Sequence, residues 1–153
     1  MTTTTPTTTS ATPGPAPAGT LLLWAVLVPV TATGLWALLG PASFASGYPG
    51  LGLHWVAGDG PASEHLTRDV GALSLALVGV TLAGSRRWTP ALVAGWELYA
   101  LPHLLYHLFH LHTLSGSLDR VTSIAGLVAL AVLPPLGLAV QVRGRRQGDR
   151  TPA

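Results

Sequence analysis

Four stretches of this chain stay apolar for about 20 residues each, the length that crosses a ~30 Å hydrocarbon core as an α-helix. They cover residues 20–39, 66–84, 90–113 and 121–140. In lipid a chain must satisfy its own backbone hydrogen bonds, and long continuous apolar runs do so as helices. Barrel strands would show short alternating runs instead. What lies between the runs is poor in charge. Only 9% of residues are charged, against roughly 25% in an ordinary soluble domain. There is no Lys, and the first charge is Asp59. A water-facing surface cannot be built from so few charges. The 48% apolar content equally excludes a wholly disordered chain. The expected fold class is all-α, a four-helix transmembrane bundle.

Breakers agree with these bounds. Gly40 and Pro41 end the first segment, and Gly84 to Arg87 end the second. Thr89 and Pro90 open the third as N-cap and first-turn proline. Ser115 to Ser117 separate the third from the fourth. Residues 1–19 form a Thr/Pro/Ala tract with nothing to bury and read as a disordered tail. Residues 20–142 are then the transmembrane domain and 143–153 a basic tail. Ser43 to Ala45 would suit a signal peptidase, but no positive charge precedes the first segment. That segment also exceeds the roughly 7–15 apolar residues of a signal peptide, which argues against cleavage.

Arginine sets the expected orientation. Arg86, Arg87, Arg143, Arg145, Arg146 and Arg150 fall on one side of a four-helix topology, and Arg68 and Arg120 on the other. The positive-inside rule puts both termini in the cytoplasm, N-in and C-in, within a plasma membrane. The absence of Cys excludes disulfides and thiolate metal sites. The Arg residues lie beside apolar segments and not on a polar face, so nucleic acid is not an expected partner. The bilayer is, together with a membrane-protein partner or a second copy of the chain.

On this topology the polar groups converge. At about 100° per residue, His103, His107 and His110 fall within about 60° of one another on the third helix, with Tyr99 and Tyr106 on or beside the stripe. His65 and Asp69 share a face of the second helix at i, i+4, and Glu64 and Arg68 flank them. Asp119 and Arg120 open the fourth helix at the same level, and all six His fall in the outer half. Three readings fit. His65, Asp69, His103, His107 and His110 are a candidate transition-metal site, since imidazoles suit Zn, Cu, Fe and Ni. Haem fits less well, because it needs one His on each of two facing helices; His65 with His110 qualifies, whereas His103 has no obvious partner. Proton handling is the second reading. It draws in Glu97, an intramembrane acid that lies about 120° from His103 on the helical wheel. The third is structural, with Arg68, Asp69, Asp119 and Arg120 pinning helices together and the acids complementing helix dipoles. No G-x-S-x-G frame surrounds any Ser, so hydrolytic chemistry is the weakest option.

The segment Gly58 to Leu77, with its Glu64-His65-Leu66, Arg68-Asp69 and Gly71-Ala72-Leu73 elements, occurs beside Pro102, His103, Tyr106, His107 and His110. Together they resemble a set of small, uncharacterised integral membrane proteins of high-GC bacteria and, distantly, four-helix DoxX-type membrane proteins. The resemblance covers the second and third helices. It implies the same fold in a bacterial plasma membrane, and it implies that the two elements form one site. It carries no activity. The expectation is a small multi-pass protein with an outward-facing His/Asp site for a metal, cation or proton. The alternative is a non-catalytic accessory or assembly subunit of a larger membrane complex.

Overall fold

The computed structural model describes residues 17–57, 60–84, 86–114 and 116–148. The fold is all-α apart from one small hairpin. Its helices are α1 (Pro17–Leu39), α2 (Pro41–Gly47), α3 (Glu64–Ala83), α4 (Pro90–Phe109) and α5 (Ser117–Gly148). β1 (Pro49–Gly50) pairs antiparallel with β2 (Leu53–His54). Among the described residues three segments are long and apolar enough to cross a membrane: Ala18–Leu39, Glu64–Ala83 and Ser117–Gln147. α4 matches α3 in length, at 20 residues, but carries Glu97, His103 and His107 along it and is not among the three.

Local chemistry explains the ends. Ser63 caps α3 by accepting from the Leu66 N–H, and Thr89 caps α4 by accepting from the Leu92 N–H, with Pro90 in the first turn. Three helices differ from the apolar pattern at their ends. α1 begins at Pro17, inside the stretch read as tail; residues 1–16 lie outside those described. α4 stops at Phe109, where the expected helix continued to 113. His110 leaves helical geometry at φ −116° and ψ 28°, and Leu111–Thr113 form a 3-10 turn. α5 overruns its apolar stretch at both ends, so Arg143, Arg145 and Arg146 project from helix. Arginine is a good helix former and complements the negative C-terminal end of the dipole. Residues 149–153 lie outside those described.

α1 lies between α3 and α5, and α4 packs along α5. The α1–α3 crossing is close because it is glycine on both sides. A Cβ on Gly71 would stand 2.7 Å from the Gly34 carbonyl and 2.7 Å from the Leu38 amide nitrogen. Small residues at a helix crossing are how membrane helices bring their backbones together. Hydroxyls inside the helices satisfy themselves on carbonyls one turn back, as in Thr31 to Leu27 (2.6 Å), Ser74 to Val70 (2.7 Å) and Thr81 to Leu77 (2.8 Å).

The two ends of the molecule are built differently. At the end carrying Arg86, Arg87 and the C-terminal turns of α5, the helices close on a solid core of Leu23, Val26, Leu27, Val30, Val78, Trp88 and Trp96. At the other end, residues 41–57 fold back as a cap. Trp36, Phe44, Tyr48 and Trp55 contact one another in series, with ring centroids 4.5–6.0 Å apart. The hairpin turns on Leu51 and Gly52 at φ 58° and 77°, the paired left-handed residues of a type I′ turn. The His54 N–H donates to Asp119 Oδ1 at 2.9 Å, and Trp55 Nε1 donates to Thr122 Oγ1 at 3.1 Å. Both bonds fasten the cap to the first turns of α5.

Candidate functional site

Beneath the cap the helices leave a cavity of about 890 Å³. That volume falls within the ~300–1,000 Å³ of small-molecule sites. α1 contributes Ala25, Pro29 and Thr33 at a spacing of four, which is one helical face. α5 contributes Ser123, Gly126, Leu127, Leu130 and Leu133, and the cap supplies Phe44, Tyr48 and Trp55 as a roof. α3 adds Leu66, Thr67 and Val70. The polar wall is α4, with Tyr99, His103, Tyr106 and His107. Among the described lining residues there is no Asp, Glu, Lys or Arg.

The polar groups are held in place from behind. The Tyr99 hydroxyl lies 2.9 Å from Ser74 Oγ, and Ser74 is fully buried. Across the cavity the Tyr48 hydroxyl lies 2.9 Å from Thr33 Oγ1. Burial pushes the Tyr48 phenol above its ordinary value of 10.0, against the opposing pull of the Thr33 hydrogen bond. The rings of His103 and His107 are 5.1 Å apart and tilted by 32°, and His103 meets Tyr99 edge-on at 6.2 Å. His107 is 7% exposed.

Two helix prolines lie beside lining residues of α1 and α5. Pro29 has no N–H for the Ala25 carbonyl, and Pro134 has none for the Leu130 carbonyl. Ala25 and Leu130 both line the cavity. An interrupted helix is tolerated at membrane depth where it borders such a space.

The residues singled out from the sequence divide into three groups. His103 and His107 share the cavity wall with Tyr99 and Tyr106. His65 and Asp69 form an exposed i, i+4 pair on α3 at 3.4 Å, and Arg68 pairs with Glu64 at 2.8 Å. Arg68 also donates to the Leu38 carbonyl and so ties α3 to the end of α1. His110 sits where the α4 helix has already ended. It stacks on Tyr106 at 4.2 Å and donates from Nδ1 to the Tyr106 carbonyl at 2.8 Å. Among the described residues no group of three or more His, Cys, Asp or Glu is placed to share a metal ion. Asp119 and Arg120 act on loops, Asp119 on His54 and Arg120 on the Leu114 carbonyl at 3.0 Å. Glu97 is not among the cavity-lining residues, and its Oε1 is buried with no hydrogen-bond partner among the described residues.

Sequence reasoning missed Thr33, Tyr48, Trp55 and Ser123. Nothing in their spacing marks them, because the cap and two helices, α1 and α5, bring them together from distant parts of the chain. The proline of α1 was the one available signal, since an internal helix proline often marks a cavity.

No family model, no curated protein and no solved structure matches the chain. The site is therefore read from its own chemistry.

Proposed function

We propose that this is a small multi-pass protein of the bacterial plasma membrane that binds a largely apolar small molecule in the cavity under its cap. The reading has α1, α3, α4 and α5 as a four-helix transmembrane bundle with both termini in the cytoplasm. The cavity then opens in the outer half of the bilayer. One observation carries the reading: a space of about 890 Å³ whose described lining has no Asp, Glu, Lys or Arg and whose polar side chains are hydroxyls, imidazoles and an indole. The apolar walls supply most of the binding free energy. The α4 groups orient whatever part of the ligand can hydrogen-bond, as a few placed polar groups do in apolar pockets generally.

A metal held by His65, Asp69, His103, His107 and His110 has less support. The first two project from the outer surface of α3, whereas His103 and His107 line the cavity. A single preparation separates these readings. Protein purified in mild detergent is analysed by native mass spectrometry and by elemental analysis. The expected result is a bound apolar molecule that is absent from Ala129→Trp, a substitution that fills the cavity from α5. Stoichiometric metal and no such molecule would replace this reading with the metal site. Neither of these, with a stably co-purifying protein, would favour the accessory-subunit role.

A further inference from the structure

The cavity has a mouth, and the mouth faces sideways. The hydrogen bonds that join α3 to α4 lie toward the arginine-bearing end. Trp96 Nε1 donates to Thr81 Oγ1 at 3.1 Å, and the Tyr99 and Ser74 hydroxyls meet at 2.9 Å. Beyond that pair the same two helices line the cavity, with Leu66 and Val70 on one side and Tyr106 on the other. These side chains are also 63%, 42% and 45% exposed. Ala25, Pro29 and Ala129 line the cavity and are exposed as well, so it is the packing that picks out this side: α3 and α4 barely touch, whereas α1 lies against α3 and α5, and α4 against α5. α1 and α5 pack against each other at the back, and the cap is fastened to α5 by its His54 and Trp55 bonds. The gap between α3 and α4 is thus the way in, and α3 is one of the segments apolar enough to lie in a bilayer.

We infer that this gap admits, directly from the surrounding lipid, a single-chain amphiphile with a neutral hydroxyl or carbonyl head. The inference rests on the cavity-binding reading above and deepens it. The head class follows from the lining. Tyr48, Tyr99, Ser123 and the two imidazoles can donate and accept hydrogen bonds. No Asp, Glu, Lys or Arg among the described lining residues offers a permanent charge to a phosphate or an ammonium group, and a charge buried without a partner is strongly disfavoured. The tail class follows from Pro29, Leu127, Leu130 and Leu133, which give the cavity apolar walls. The volume matches one drug-sized molecule, so the site takes one chain with a small head and not a two-chain phospholipid.

The experiment uses the full chain in phosphatidylcholine vesicles. The probe is a long-chain n-alkanol with a diazirine in its tail, and the alkyl phosphate of the same chain serves as comparison. Light-driven labelling is mapped by mass spectrometry, and toluene binding is followed in parallel by its effect on thermal unfolding. The alkanol should label the α4 and α5 lining, and Ala129→Trp should weaken this about tenfold or more. Val70→Trp and, independently, Leu66→Trp should slow labelling from the bilayer, and the alkyl phosphate should not label the lining. Equal labelling by the phosphate would overturn the neutral head. Unchanged labelling rates in both rim variants, with folding intact, would overturn the lateral mouth. If the alkanol labels no lining residue while toluene still binds in an Ala129→Trp-sensitive way, the inference falls and the cavity reading stands. Failure of both probes would remove both.

Discussion

Gly71 has almost no room for a side chain. Its would-be Cβ meets two backbone atoms of α1, neither of which can rotate away. Gly71→Ala is therefore expected to destabilise the protein by about 1–3 kcal/mol through overpacking, read as a lower unfolding temperature in detergent. Gly79 lies on the same helix with nothing within 4 Å of its would-be Cβ. There the change to Ala should stabilise by up to about 1 kcal/mol, the difference in helix propensity. Tyr48 makes a second prediction. Its phenol sits above 10.0 because burial disfavours the phenolate. The fold thus favours the neutral form, so this contribution is complete below the ordinary phenol pKa and is lost as pH rises through the raised one. Tyrosinate absorbance should show an ionisation step above the usual phenol value, and Tyr48→Phe should remove that step. Single residues also show where sequence reading stops. The helical wheel correctly put His103 and His107 on one face, because α4 is regular through both. His110 is the C-cap of α4, where its ring stacks on Tyr106 and does not join the cavity lining.

At the scale of elements, the long helices were legible because lipid demands length and internal hydrogen bonding, and both leave marks in composition. The glycines, prolines and capping hydroxyls at Thr89 and Pro90 sharpened their ends. The cap was not legible. Residues 41–57 contain no continuous apolar run, and α2 and the hairpin are held by ring contacts among Phe44, Tyr48, Trp55 and, from α1, Trp36. The internal proline of α1 is where an element and the site meet. Pro29→Ala would return an N–H to the Ala25 carbonyl and replace a helix-breaking residue with the best helix former. The expected outcome is a higher unfolding temperature together with weaker retention of the apolar molecule in native mass spectra. If both properties rose together, the freed carbonyl would have no part in binding.

At the scale of the whole molecule, charge separates the ends. Arg86, Arg87, Arg143, Arg145 and Arg146 stand at the solid end, and Glu64, Asp69 and Asp119 with only Arg68 and Arg120 at the capped end. A reporter fused after Ala153 should be active only as a cytoplasmic fusion, and one inserted at the exposed Leu51 turn only as an external one. The reverse pattern would turn the cavity toward the cytoplasm.

The helix order around the molecule also bears on how it is made. α1 rests on α3 and α5, and α4 rests chiefly on α5, so α5 is the shared support of two helices that are synthesised before it. On the four-span reading proposed above, α1 and α4 come together only once α5 has arrived to join them, with assembly following insertion. The chain is then exposed to quality control for the whole time that α4 and the following turn are being translated. Lesions that delay or misplace α5 would deplete the protein from the membrane even when every cavity residue is intact.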